Sequence, residues 1–128
     1  MAKKKSLLQE RVVYKPFEYQ QAADYWLKQH QAHWLHTEVP MMSDLTDWNS
    51  NLSETEKNII GSILKGFAQT ETVVNDYWSG LVTKWFRKPE VIAMATTFGA
   101  FETIHAEAYS LLNETLGLEN FAEFMEDE

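Results

Sequence analysis

The 128-residue chain has no cysteine. That excludes disulfides, thiolate-bound zinc and cysteine-held iron–sulfur clusters, and leaves Glu, Asp and His as the strong side-chain ligands. It also fits a reducing cytoplasm. Positive charge is scarce: 11 Lys and Arg stand against 19 Asp and Glu, a formal net charge of −8. A nucleic-acid-binding surface leaves a basic footprint. The only basic run, Lys3-Lys4-Lys5, is terminal and reads as a solvated tail. No apolar run approaches the roughly 20 residues that span a bilayer. The charged N-terminus has no apolar core behind it of the kind a secretion signal needs. No segment alternates convincingly as a strand, and no internal repeat is visible. These absences point to a soluble, cytoplasmic, all-α chain with neither nucleic acid nor membrane as partner.

What is present argues for a packed fold. Hydrophobic residues make up 45% and aromatics 13% of the chain, which separates it from disordered sequences, and the length suits a single domain over residues 1–128. Residues 1–16 read as an irregular lead-in ending near Pro16. Phe17 to about His36 is expected to be helical, with Ala22, Tyr25, Trp26, Gln29, His33 and Trp34 recurring at roughly helical spacing. Pro40 stops that segment, and the polar stretch from Met41 to Asn51 is expected to be a loop.

Ser53-Glu54-Thr55-Glu56 has the pattern of a capping box. Behind it runs an apolar stripe through Ile59/Ile60, Ile63/Leu64, Phe67 and Val74, with Thr70/Glu71 set within it. Gly61 and Gly66 lower helix propensity there and are expected to permit close helix contact. The helix should end around Trp78–Gly80, with a further short helical piece to Phe86. Pro89-Glu90 opens the next helix, since Pro suits the first helical position and an early Glu the positive end of the dipole. It should run to about Leu116, with Gly117 as its stop. Leu118 to Met125 reads as one more short helix entering the acidic end Glu126-Asp127-Glu128.

The chemistry concentrates in Glu102-Thr103-Ile104-His105 and Tyr109. A carboxylate and an imidazole three residues apart project from one face of a helix, and a Tyr four residues past the His shares that face. Glu71 lies on the preceding long helix. If the two helices are antiparallel neighbours, Glu71, Glu102 and His105 can meet on one metal ion. Hard oxygen donors with an imidazole suit iron or manganese, and ligand type alone also admits zinc. A carboxylate can bridge two metals, such a pair can activate dioxygen, and Tyr109 is close enough to lose an electron. Each residue also has a plainer reading. A Glu on an apolar face fits a rim position with its carboxylate in water, and a Tyr fits a packed residue with a hydrogen-bonded hydroxyl. Burying three such groups without partners would cost several kcal/mol. A Glu-x-x-His motif normally works in pairs, so the chain is expected to supply part of a site.

The stretch from about Trp34 to Asp127 resembles the small, radical-generating subunit of class I ribonucleotide reductase. The resemblance is carried by Leu52-Ser53-Glu54-Thr55-Glu56-Lys57, by Phe67-Ala68-Gln69-Thr70-Glu71, and most specifically by Phe101-Glu102-Thr103-Ile104-His105-Ala106-Glu107-Ala108-Tyr109. It implies a ferritin-like helical bundle holding a dinuclear metal centre. In that carry-over Glu71 and His105 ligate the first metal, Glu102 bridges both metals, and Tyr109 takes the radical position. Trp34, within Ala32-His33-Trp34, falls near the family's electron-transfer tryptophan, and also reads as a core aromatic. The implied partner is the catalytic large subunit, which uses the radical to make deoxyribonucleotides.

Two departures stand out. Many members of that family carry Asp at the position of Glu71, and Glu there occurs in subtypes with other metal pairs. The implied centre is therefore Fe/Fe, favoured by Tyr109, with Mn/Fe and Mn/Mn as the other pairs. Members also run to well over twice this length, and no second Glu-x-x-His occurs here. The chain thus resembles the N-terminal half of a small subunit. Its metal site would be completed by a complementary C-terminal half or by a second copy in a homodimer. Two competing functions are a ferritin-like di-iron oxidase or metal store, and a non-catalytic helical partner module.

Overall fold

The computed structural model describes residues 6–118 and 121–126, with Phe121 and Phe124 described in backbone only. The Lys3-Lys4-Lys5 run and the end at Asp127-Glu128 lie outside the described residues. The described residues form an all-α fold, as expected, with no strand among them. The helices are α1 (Gln20–Gln31), α2 (Met42–Ser50), α3 (Glu54–Asp76), α4 (Thr83–Trp85), α5 (Pro89–Thr115) and α6 (Phe121–Glu126). A 3₁₀ turn spans His36–Glu38, and a π-helical segment, Tyr77–Val82, joins α3 to α4. Among the described residues no helix is long and apolar enough to cross a membrane. The chain divides into two compact units, Met1–His33 with Val73–Thr103, and Trp34–Thr72 with Ile104–Glu128.

The first unit packs Ala22 of α1 against Val82, Val91 and Ala95, with Leu7, Tyr19, Trp78, Phe86 and Met94 around them. α1 is shorter than its apolar spacing predicts. It stops at Gln31, where the backbone of Ala32 closes the last turn onto Lys28 and Gln29. The lead-in is irregular, as expected, but it is pinned. Arg11 donates to the carbonyls of Val13 (2.8 Å), Tyr14 (3.0 Å) and Pro16 (2.7 Å), and pairs with Glu90 in the first turn of α5. Glu90 also accepts from the backbone N–H of Glu18 (2.9 Å) and Tyr19 (3.1 Å). Beside it the fully buried Lys88 ammonium lies 2.8 Å from a Glu18 carboxylate oxygen. Burial alone would raise the Glu90 carboxyl; the backbone N–H groups of Glu90, Tyr19 and Glu18 and the Arg11 guanidinium together hold it below its ordinary value.

In the second unit the chain leaves its 3₁₀ turn extended, and the restriction that Pro40 places on Val39 keeps it so (φ −89°, ψ 117°). The stretch after it is a helix, α2, where the sequence reading expects a loop. Ser43, Asp44, Thr46, Asp47 and Asn49 compete for backbone hydrogen bonds and mask the pattern. Met41, Leu45 and Trp48 recur at helical spacing, however, and Met41 and Trp48 are buried. Burying side chains of that size is worth roughly 1.5–3 kcal/mol each, more than the propensity deficit.

The start of α3 follows the capping box: Glu56 N donates to Ser53 Oγ (3.3 Å), and Ser53 N donates to a Glu56 carboxylate oxygen (2.8 Å). Of its two early glycines only Gly61 meets a neighbour. A Cβ there would lie 3.4 Å from Leu118, whereas one at Gly66 meets nothing within 4 Å. Gly117 adopts φ 75° just past the end of α5, the left-handed stop its position predicts.

Candidate metal centre

α3 carries Glu71 with a helical turn on either side, and α5 carries His105 and Tyr109 one turn apart, so each candidate position is held by a regular helix. In the second unit a Glu71 carboxylate oxygen lies 3.9 Å from His105 Nδ1. That is too long for a hydrogen bond. It is within the span of two atoms sharing one ion at about 2.0–2.2 Å each. Both side chains are partly buried, with 17% of the Glu71 and 34% of the His105 side-chain surface exposed. They are shielded enough to strengthen electrostatics and open enough to admit an ion. The donor set of carboxylate oxygen and imidazole nitrogen fits iron or manganese.

Both residues line a cavity of about 510 Å³ together with Trp34, Met41, Tyr109 and Leu112. Tyr109 therefore borders the same space as the two ligand candidates. Trp34, whose sequence match is the loosest, stacks on the His105 ring at 6.0 Å between centroids and 23° between planes. Glu102 is half-buried on α5, three residues before His105, which puts it one turn away on the same helix face.

Two residues beside the candidate site were not assigned to it by sequence reasoning. Met41 closes one side of the cavity, and its signal was its place in the Met41–Leu45–Trp48 spacing. The Phe67 ring packs against Tyr109 at 5.2 Å. It stands one turn before Glu71 on α3, so it was legible as a neighbour of the ligand position, although the sequence reading placed it only in the apolar stripe.

The family model described as ribonucleotide reductase, small chain, matches residues 11–127. Among similar proteins, one from Invertebrate iridescent virus 6 and one from Invertebrate iridescent virus 3 are both named probable ribonucleoside-diphosphate reductase small subunit. The first is 37% identical over 113 residues, covering 88% of this chain and 31% of the relative. The second is 40% identical over 114 residues, covering 88% and 30%. A ribonucleoside-diphosphate reductase small chain from Saccharomyces cerevisiae is 29% identical over 121 residues, covering 90% and 30%. The chain thus spans about three-tenths of the length of the curated relatives it matches.

Proposed function

The chain belongs to the ribonucleotide reductase small-chain family, and on that premise we propose that it supplies one ligand-bearing portion of the radical-generating small subunit. Glu71, Glu102 and His105, each with one ligand atom to offer, would hold this portion's share of a dinuclear metal centre, with Glu102 the ligand common to both metals. A dinuclear centre, Fe/Fe or one of the manganese-containing pairs, supplies dioxygen activation when bound. The chain's own residues do the rest. Tyr109 would hold the radical, its phenol losing one electron and one proton to the oxygen chemistry that the bound centre supplies. Trp34, stacked on His105, offers the exit path for an electron hole toward a large subunit that reduces ribonucleoside diphosphates. The ferritin-like fold expected of the family agrees with the all-helical architecture. The remaining ligands come from a complementary portion or from a second copy of this chain, in the cytoplasm.

The observation that carries this reading is the Glu71–His105 pair at 3.9 Å beside Tyr109 in one cavity. Its test is a Co(II) titration of the purified chain, followed by ferrous iron, oxygen and electron paramagnetic resonance. We expect one ion per chain from the three-ligand set, lost in His105→Ala. A wild-type chain that takes up no ion overturns the metal reading. Where the site is completed by pairing, a tyrosyl signal appears, and Tyr109→Phe abolishes it with ion binding intact. Loss of ion binding in Tyr109→Phe contradicts the role given to Tyr109.

A further inference from the structure

In the first unit the Asn75 carboxamide crosses from α3 to α5. Its Nδ2 donates to the Gly99 carbonyl at 2.6 Å and to Thr103 Oγ1 at 3.2 Å. The Ser79 hydroxyl donates back to the Asn75 carbonyl (2.7 Å) and to its Oδ1 (3.2 Å). Ser79 thereby turns the amide so that its oxygen faces the π-helical segment and its nitrogen faces α5. The two backbones come very close here. A Cβ at Gly99 would lie 3.0 Å from Ser79 Cβ and 3.4 Å from the Asn75 carbonyl oxygen, so only glycine fits without displacement.

A carboxamide bridging to a backbone carbonyl, at a point where no side chain can intervene, fixes both the separation and the axial register of two helices. Its place in the chain gives it a consequence for chemistry. Asn75 is four residues after Glu71 on α3. Gly99 is three residues before Glu102 on α5, and Thr103 lies within the Glu102-Thr103-Ile104-His105 motif itself. The lock is therefore one turn from a candidate ligand on each helix. The π-helical segment begins at Tyr77, two residues beyond Asn75. A π turn takes up an extra residue, so it rephases the chain downstream and leaves Glu71 and Asn75 on one regular α-helical face.

We infer that Asn75 is a positioning residue: it sets the register of the two ligand helices through Gly99 and Thr103, and so governs how tightly and in what geometry an ion is held. This rests on the metal reading above. The test compares wild type, Asn75→Leu, Thr103→Val and Ser53→Ala by Co(II) titration, recording affinity and the visible d–d spectrum, with helix content followed by circular dichroism. Asn75→Leu keeps the branched shape and removes the donor. It should lose about tenfold to a hundredfold in affinity, the range for residues that orient metal ligands, with a shifted spectrum. Thr103→Val removes one of the two acceptors and should lose about two- to tenfold; it remains informative should Asn75→Leu fail to fold. Ser53→Ala destabilises α3 far from the lock and should change neither affinity nor spectrum. Unchanged binding and spectrum in both Asn75→Leu and Thr103→Val overturn the inference while leaving the metal reading standing. Failure of wild type to bind Co(II) overturns both.

Discussion

Glu90 in the first unit and Glu71 in the second are carboxylates on long helices, held in opposite ways. Glu90 is 1% exposed, and its oxygens are taken up by Arg11 and by the backbone N–H groups of Glu18 and Tyr19. Such a group has no capacity left for a ligand; it joins the lead-in to the start of α5. Glu71 borders a cavity and faces an imidazole at a distance that suits a shared ion better than a hydrogen bond. Burial by itself therefore does not single out a candidate ligand. What sets Glu71 apart is its place in the lining of a cavity beside a second ligand candidate, His105.

The sharpest way to break this contrast is to truncate each carboxylate in turn. Glu90→Ala should cost about 3–5 kcal/mol, since it leaves the Arg11 guanidinium and two backbone N–H groups without their acceptor in a buried setting. Urea unfolding of the metal-free chain measures it. Glu71→Ala should cost less than about 1 kcal/mol in the same experiment, because its carboxylate borders a cavity and lies 3.9 Å from His105, beyond hydrogen-bond reach, and should abolish Co(II) binding. Equal costs in the two variants would erase the distinction.

Acid sharpens the comparison further. The Glu90 carboxyl sits below its ordinary value of 4.5 in the folded chain, so on acidification the unfolded chain takes up that proton first. The stabilisation it brings is complete above about pH 4.5 and is lost as pH falls through the lower folded-state value. Glu56, lowered by the Ser53 hydroxyl and the Ser53 backbone, moves in the same direction. Unfolding midpoints at pH 7, 5 and 3 should therefore fall less steeply in Glu90→Gln than in wild type; identical slopes would refute the assignment.

The smallest effect belongs to the helix that carries Glu71. Ser53→Ala removes the cap and should cost about 1 kcal/mol, read as a lower thermal midpoint, with Co(II) affinity unchanged. A loss of affinity on that substitution would mean that the ligand helix is not independently stable.

Helix identity was legible wherever local signals agreed: the capping box at Ser53, Pro89 at the first position of α5, Gly117 at its end. It failed at α2, where polar residues that favour turns outnumber the apolar ones, and burial of Met41 and Trp48 decides instead. The lead-in shows the same limit from the other side. Nothing local in residues 6–19 marks Arg11 as an anchor, because its partner Glu90 is 79 residues away.

For the candidate site, the sequence by itself determined the candidate ligand types, the shared face of Glu102, His105 and Tyr109, and the resemblance they carry, because helical periodicity and side-chain chemistry are local properties. Tertiary structure alone decided that Glu71 lies 3.9 Å from His105, that Trp34 stacks on that ring, that Phe67 packs on Tyr109, and that Asn75 meets Gly99 where an added side chain would force a neighbour to shift. Those facts depend on the separation and register of helices distant in sequence, which close packing and a few hydrogen bonds between them set.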